Sequence, residues 1–74
     1  MQTWEYLVLN VTYHDENENI VKFAVINDEY IFSNVLKDEL HIYLKELEKD
    51  GWKLENAHSE DQTHESYHFK RLVE

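Results

Sequence analysis

The chain of 74 residues contains a single glycine, and that glycine, Gly51, stands in "KDGWKLEN" between a charged helical pattern and a tryptophan. A glycine just past a helical stretch suits the C′ position, where the backbone turns left-handed and a Cβ would be strained. Gly51 therefore predicts a helix stop. In a Schellman ending the next residue folds back on the last turn, so Trp52 is expected to contact Leu47, with Lys45 and Lys49 near the negative end of the helix dipole.

Upstream, Leu36, Leu40, Tyr43, Leu44 and Leu47 recur at helical spacing and fall on one face, which predicts a helix from about Asn34 to Asp50. Ser33 or Asn34 offers an N-cap oxygen, and Asp38 and Glu39 sit near the positive end of the dipole. Val35 and Ile42 lie roughly a hundred degrees round from the stripe. They widen the apolar surface toward a second element or another subunit.

The flanking segments read as strands. In "TWEYLVLNVTY", Thr3 to Tyr13, alternation places Trp4, Tyr6 and Val8 on one face and Leu7, Leu9, Val11 and Tyr13 on the other, so both faces are apolar. The polar "HDENEN", His14 to Asn19, reads as a loop leading into a second strand, "IVKFAVI", Ile20 to Ile26. These two are expected to pair as a hairpin. In "NDEYIFSN", Asn27 and Asp28 are turn residues, and the trio Tyr30, Ile31 and Phe32 fits either a short strand or an apolar connection. After Gly51, "WKLENAHS" alternates Trp52, Leu54 and Asn56 against Lys53, Glu55 and Ala57. "ESYHFKRLV" from Glu65 reads as a last strand with Tyr67 and Phe69 on one side.

The expected fold is a single α+β domain over residues 1–74: an antiparallel sheet of about four strands with one helix packed on one face, in the order β-β-α-β-β. A fold this small buries only about 60% of its unfolded surface, so every large apolar side chain counts. Hydrophobic residues at 42% and aromatics at 14% are sufficient for a core. With no cysteine, neither a disulfide framework nor a thiolate metal site is available, and no thiol nucleophile exists.

Sixteen acidic residues against seven Lys and Arg give a formal charge of -9, which repels phosphate backbones and anionic membrane surfaces. No direct nucleic-acid or membrane partner is expected. The first residues show no basic leader or cleavage pattern, and no run approaches the ~20 apolar residues that cross a bilayer, which together predict a cytoplasmic location.

The pieces "WEY" at Trp4 to Tyr6, "LKELEKDGWKL" at Leu44 to Leu54 and "FKR" at Phe69 to Arg71 resemble the family called domain of unknown function 4177. The resemblance covers the first strand and the C-terminal half. It implies an aromatic first strand, a Leu/Glu-rich helix closing on Gly-Trp, and a hairpin ending in a Phe-Lys-Arg-like segment. "NIVKFAVINDEYIF", Asn19 to Phe32, looks like an insertion that family members often lack. The resemblance implies an architecture and no activity.

Five histidines invite a metal hypothesis, above all "HSEDQTHESYH", in which His58, His64 and His68 accompany Glu60, Asp61 and Glu65. On one strand His64 and His68 would stand about 13 Å apart, too far to share an ion; only an unusual hairpin register would bring His58 near one of them. Ser33, Ser59 and Ser66 lack a nucleophile turn or a glycine-rich loop, and Glu60 and Asp61 fall in a solvated loop. No catalytic, cofactor or metal residue is expected, and the chain is read as a non-enzyme.

The aromatic set Trp4, Tyr6, Tyr13, Phe23, Tyr30, Phe32, Trp52, Tyr67 and Phe69 reads mainly as core. One helix covers only one sheet face, however, and the first strand is apolar on both. The sequence therefore predicts a non-enzymatic interaction module that self-associates as a homodimer through the open face or a sheet edge, with another protein as a further possible partner. The alternatives are an acidic decoy occupying a basic nucleic-acid-binding protein, and a small-ligand-binding protein with an aromatic pocket.

Overall fold

The computed structural model describes residues 3–73. Along the chain run β1 (Thr3–Tyr13), β2 (Ile20–Ile26), β3 (Glu29–Leu36), α1 (Lys37–Lys49), β4 (Lys53–Ser59) and β5 (His64–Val73). The architecture is α+β, with one five-stranded antiparallel sheet in the order β3-β2-β1-β5-β4. The sheet thus has one strand more than expected, and the element order is β-β-β-α-β-β.

The extra strand is "EYIFSNVL". Asn27 and Asp28 take positive φ values of 45° and 74° between the paired residues Ile26 and Glu29, the geometry of a two-residue turn whose twist matches that of the strands. Asn27 ties this turn to β1: its backbone N–H donates to the Val8 carbonyl at 3.2 Å, and its side-chain oxygen accepts from the Val8 N–H at 3.1 Å. A turn this tight commits the following residues to pair with β2. Residues 19–32 supply β2 and the first half of β3.

Because β3 runs on to Leu36, the helix starts at Lys37 instead of Asn34. Ser33 and Asn34 are strand residues, no side chain caps the helix at Leu36, and the Asn34 amide oxygen is engaged with His14 Nε2 at 2.8 Å. The expected stripe is shortened accordingly. Leu40 and Leu47 are buried and Tyr43 and Leu44 pack against the core, whereas Leu36 ends a strand and is exposed. Val35 packs on the core from β3. Ile42 points to solvent.

The helix end matches the expected stop. Gly51 has φ +94°, its N–H donates to the Glu48 carbonyl at 3.1 Å, and the Trp52 N–H donates to the Leu47 carbonyl at 3.0 Å, the two bonds that define a Schellman motif. Trp52 packs against the core without being fully buried. Lys49 lies in the last turn.

The core joins Leu7, Leu9, Val11 and Tyr13 of β1 to Val21, Ala24, Leu40, Leu47 and Phe69. Helix α1 lies over β2 and β3, where Tyr43 meets Phe32 edge-on with ring centroids 5.2 Å apart. Every residue of β4 is exposed. Its simple alternation fails at Glu55, which is extra relative to β5: Leu54 pairs with Phe69 and Asn56 with His68. This bulge puts Lys53 and Asn56 on one face and Leu54 and Ala57 on the other, because one inserted residue reverses the phase of a period-two pattern. Among the described residues no helix is long and apolar enough to cross a membrane.

Candidate interaction surface

In an antiparallel sheet, directly opposed residues project on the same side, so the registers define the face turned away from α1. Trp4 opposes Leu72, Tyr6 opposes Lys70, Val8 opposes His68, Asn10 opposes Ser66, and Thr12 opposes His64. From β2, Val25 and Phe23 oppose Asn10 and Thr12, and Tyr30 of β3 opposes Val25. On β4, Lys53, Asn56 and His58 oppose Lys70, His68 and Ser66.

This face is aromatic and open. Tyr6 is 67% exposed, Tyr30 75%, Leu72 39% and Trp4 36%. Phe23 and Tyr30 meet edge-on at 5.6 Å, and the Lys70 ammonium stands 4.6 Å from the centre of the Trp4 ring, a distance at which cation and ring attract. Glu55 reaches Lys70 from the β4 bulge as an ion pair. The two halves of the face differ. The β4–β5 half carries Lys53, Lys70, His58, His64 and His68, and the β2–β3 half carries Phe23, Val25 and Tyr30.

Most acidic residues lie elsewhere. The Tyr13 N–H donates to the Thr63 carbonyl at 2.7 Å, which joins the acidic β1–β2 and β4–β5 loops at one end of the sheet. Glu46, Glu48 and Asp50 lie at the C-terminal end of α1. There Arg71 joins three elements: it donates to Glu5 through Nε at 2.6 Å, to the Asp50 carbonyl at 3.1 Å, and lies 4.4 Å from the Trp52 ring centre. Among the described residues, acidic groups thus gather at both ends of β1.

The histidine cluster resolves into separate roles. The pairing of His58 with Ser66 places it diagonally between His64 and His68 on the open face, closer to both than sequence spacing suggested. Yet among the described residues no three His, Asp or Glu side chains converge on a common point. His64 instead completes an Asp61 turn. Asp61 Oδ1 accepts from the Thr63 N–H at 2.8 Å, the Thr63 hydroxyl at 2.9 Å and the His64 N–H at 3.0 Å, and lies 3.0 Å from His64 Nδ1. These bonds, that of the His64 ring foremost, hold the Asp61 carboxyl down to about 2. The Ser59 hydroxyl donates to the Asp61 carbonyl at 2.9 Å, and that of Ser66 to the Asn10 side chain at 2.8 Å.

Two members of the aromatic set read as core, Tyr13 and Tyr67, come together on the helix side, Tyr13 buried and Tyr67 partly so. Tyr13 is 2% exposed, and its hydroxyl has no hydrogen-bond partner among the described residues. Tyr67 donates instead to Glu65 at 2.5 Å. Burial first, then the Glu65 carboxylate, pushes Tyr13 up to about 12, and Tyr67 is raised by burial and by its bond to Glu65. At the loop end of the open face, Thr12, His14, Lys22, Phe23 and His64 contribute to a cleft of about 500 Å³.

No family model, no curated protein and no solved structure matches this chain.

Proposed function

We propose that the protein is a non-enzymatic interaction module that self-associates, and that the open sheet face is its dimer interface. The observation that carries this reading is the aromatic and aliphatic surface of Trp4, Tyr6, Val8, Phe23, Val25, Tyr30 and Leu72 on a face with no covering layer among the described residues. Contiguous apolar surface of this kind marks interaction sites in soluble proteins, and aromatic residues dominate interface energetics.

The face is favoured over the edges. Both edge strands are irregular, β4 through its bulge at Glu55 and β3 through an extra residue at Ile31 and a positive φ at Asn34, and bulges blunt edge-to-edge pairing. The gathering of acidic groups at both ends of β1 supports a dimer over a nucleic-acid decoy, which needs charges spaced along one surface.

Sedimentation velocity tests the reading, with a dimer expected at micromolar concentration. Tyr6→Lys places a second ammonium opposite Lys70 and is expected to weaken association more than about tenfold, as loss of a central aromatic does, with thermal stability retained. A monomeric parent protein, or a Tyr6→Lys variant that dimerises like the parent, overturns it.

The cleft at the loop end supports a second reading, the binding of a small ligand among an aromatic ring, imidazoles and the Lys22 ammonium. A native mass spectrum with mass beyond the bare chain would favour it.

A further inference from the structure

We infer that self-association through the open face is controlled by a proton on His68: copies pair while the imidazole is neutral and separate when it is charged. This inference rests on the self-association reading. The registers place His68 between Val8 of β1 and Asn56 of β4. Val8 is the middle residue of β1, and β1 is the middle strand of the sheet. His68 therefore stands beside Val8 and diagonal to Tyr6, inside the aromatic patch. A partner that covers those two residues covers the exposed His68 ring as well.

The neighbours of His68 on this face offer it no free counter-charge. Along β1 they are Tyr6 and Asn10 on either side of Val8, along β5 Ser66 and Lys70, and along β4 Lys53 and His58 on either side of Asn56. The Glu55 carboxylate reaches the same group from the β4 bulge, but it is engaged with Lys70. A proton on His68 thus adds a cation beside Lys53, Lys70 and His58. The remaining histidines are placed differently. His64 Nδ1 lies 3.0 Å from Asp61 Oδ1, so a proton there meets a carboxylate. His58 lies on the edge strand β4, His14 is bonded to Asn34 at 2.8 Å, and His41 belongs to α1.

Histidine is the side chain whose charge ordinarily changes between about pH 5 and 8. A neutral imidazole can be covered by an apolar surface at modest cost, whereas an imidazolium gives up its hydration and must find an opposite charge. In a symmetric dimer both copies use the same patch, so this cost arises twice. Protons are then bound by the separate copies and excluded from the pair, and association weakens as pH falls. The overall charge acts in the opposite direction, because each proton reduces the -9 that holds two copies apart. That repulsion acts through solvent and is screened over about 8 Å at physiological salt, so the dewatered centre of the face decides the sign.

Sedimentation velocity over a concentration series at about pH 7.5 and about pH 5.5 tests the inference, with circular dichroism verifying the fold at both. The dissociation constant of the parent protein is expected to rise about tenfold or more at the lower pH. His68→Gln, polar but uncharged throughout this range, is expected to lose most of that rise. A second measurement needs no variant: diluting the parent at about pH 6 into two buffers of different ionisation enthalpy should give different heats, because dissociation takes up protons. A dimer with the same constant at both pH values, a His68→Gln variant with the full pH response of the parent, or equal heats in the two buffers overturns the inference and leaves self-association standing. A parent protein that sediments as a monomer at the higher pH overturns both.

Discussion

The Arg71 guanidinium lies 4.4 Å from the centre of the Trp52 ring while its other groups hold Glu5 and the Asp50 carbonyl. One side chain of β5 thereby fastens the helix ending to the start of β1. A double-mutant cycle with Trp52→Ala and Arg71→Met is expected to give a coupling of about 1 kcal/mol, the worth of a partly desolvated cation over an aromatic ring. Additive effects would mean that the stacking contributes nothing beyond the separate contacts. Trp52→Ala alone should cost about 2 kcal/mol, below the about 3–5 kcal/mol of a fully buried tryptophan, because Trp52 retains solvent contact.

Gly51→Ala tests the helix stop. A Cβ there would meet Arg71 Cδ at 3.5 Å, an ordinary contact, so the penalty comes from the backbone at φ +94°. A loss of about 1 kcal/mol is expected. An unchanged urea midpoint would contradict this account of the left-handed ending.

Tyr13→Phe is expected to stabilise the fold by about 1 kcal/mol at neutral pH, since it removes a buried hydroxyl that has no partner among the described residues. A large destabilisation would show that the hydroxyl is satisfied in solution.

The same tyrosines set the alkaline limit. Folding raises Tyr13 to about 12 and raises Tyr67 as well, so their neutral forms favour the folded state. For Tyr13 that contribution is complete below the unfolded pKa of about 10 and disappears as pH rises through about 12. Denaturation midpoints should fall between these values, less steeply in Tyr13→Phe. Parallel curves for parent and variant would remove Tyr13 from the explanation.

At the acid side, Asp61 should titrate near 2 when followed by its carboxyl carbon shift. Folding lowers this group, so its contribution is present above the ordinary carboxylate range and is lost as pH falls through about 2. Faster amide exchange at Thr63 and His64 should accompany the transition. A midpoint near 4 would mean that the turn bonds do not persist in solution.

Much of the open face was legible because Trp4, Tyr6 and Val8 alternate cleanly with Leu7, Leu9, Val11 and Tyr13, and period two alone separates the two sets. The aromatic set did not divide by composition. Tyr13 and Phe69 entered the core, Trp4, Tyr6 and Tyr30 stayed exposed, and Phe32, Trp52 and Tyr67 became partly buried neighbours of the core. Nothing local distinguishes these fates, because burial depends on where the helix lands.

The chain's local chemistry determined the helix ending at Gly51, the shared face of Leu40, Tyr43, Leu44 and Leu47, and the pairing of the first two strands, since each follows from backbone sterics or side-chain period over a few residues. Tertiary structure decided that residues 29–36 pair with β2 and delay the helix, that Glu55 bulges and reverses the phase of β4, and that α1 packs on the Leu7 face of the sheet, over β2 and β3, leaving Trp4 and Tyr6 open. Those outcomes depend on contacts between residues far apart in sequence, where a strand's periodicity says which side chains travel together and only packing says which side is buried.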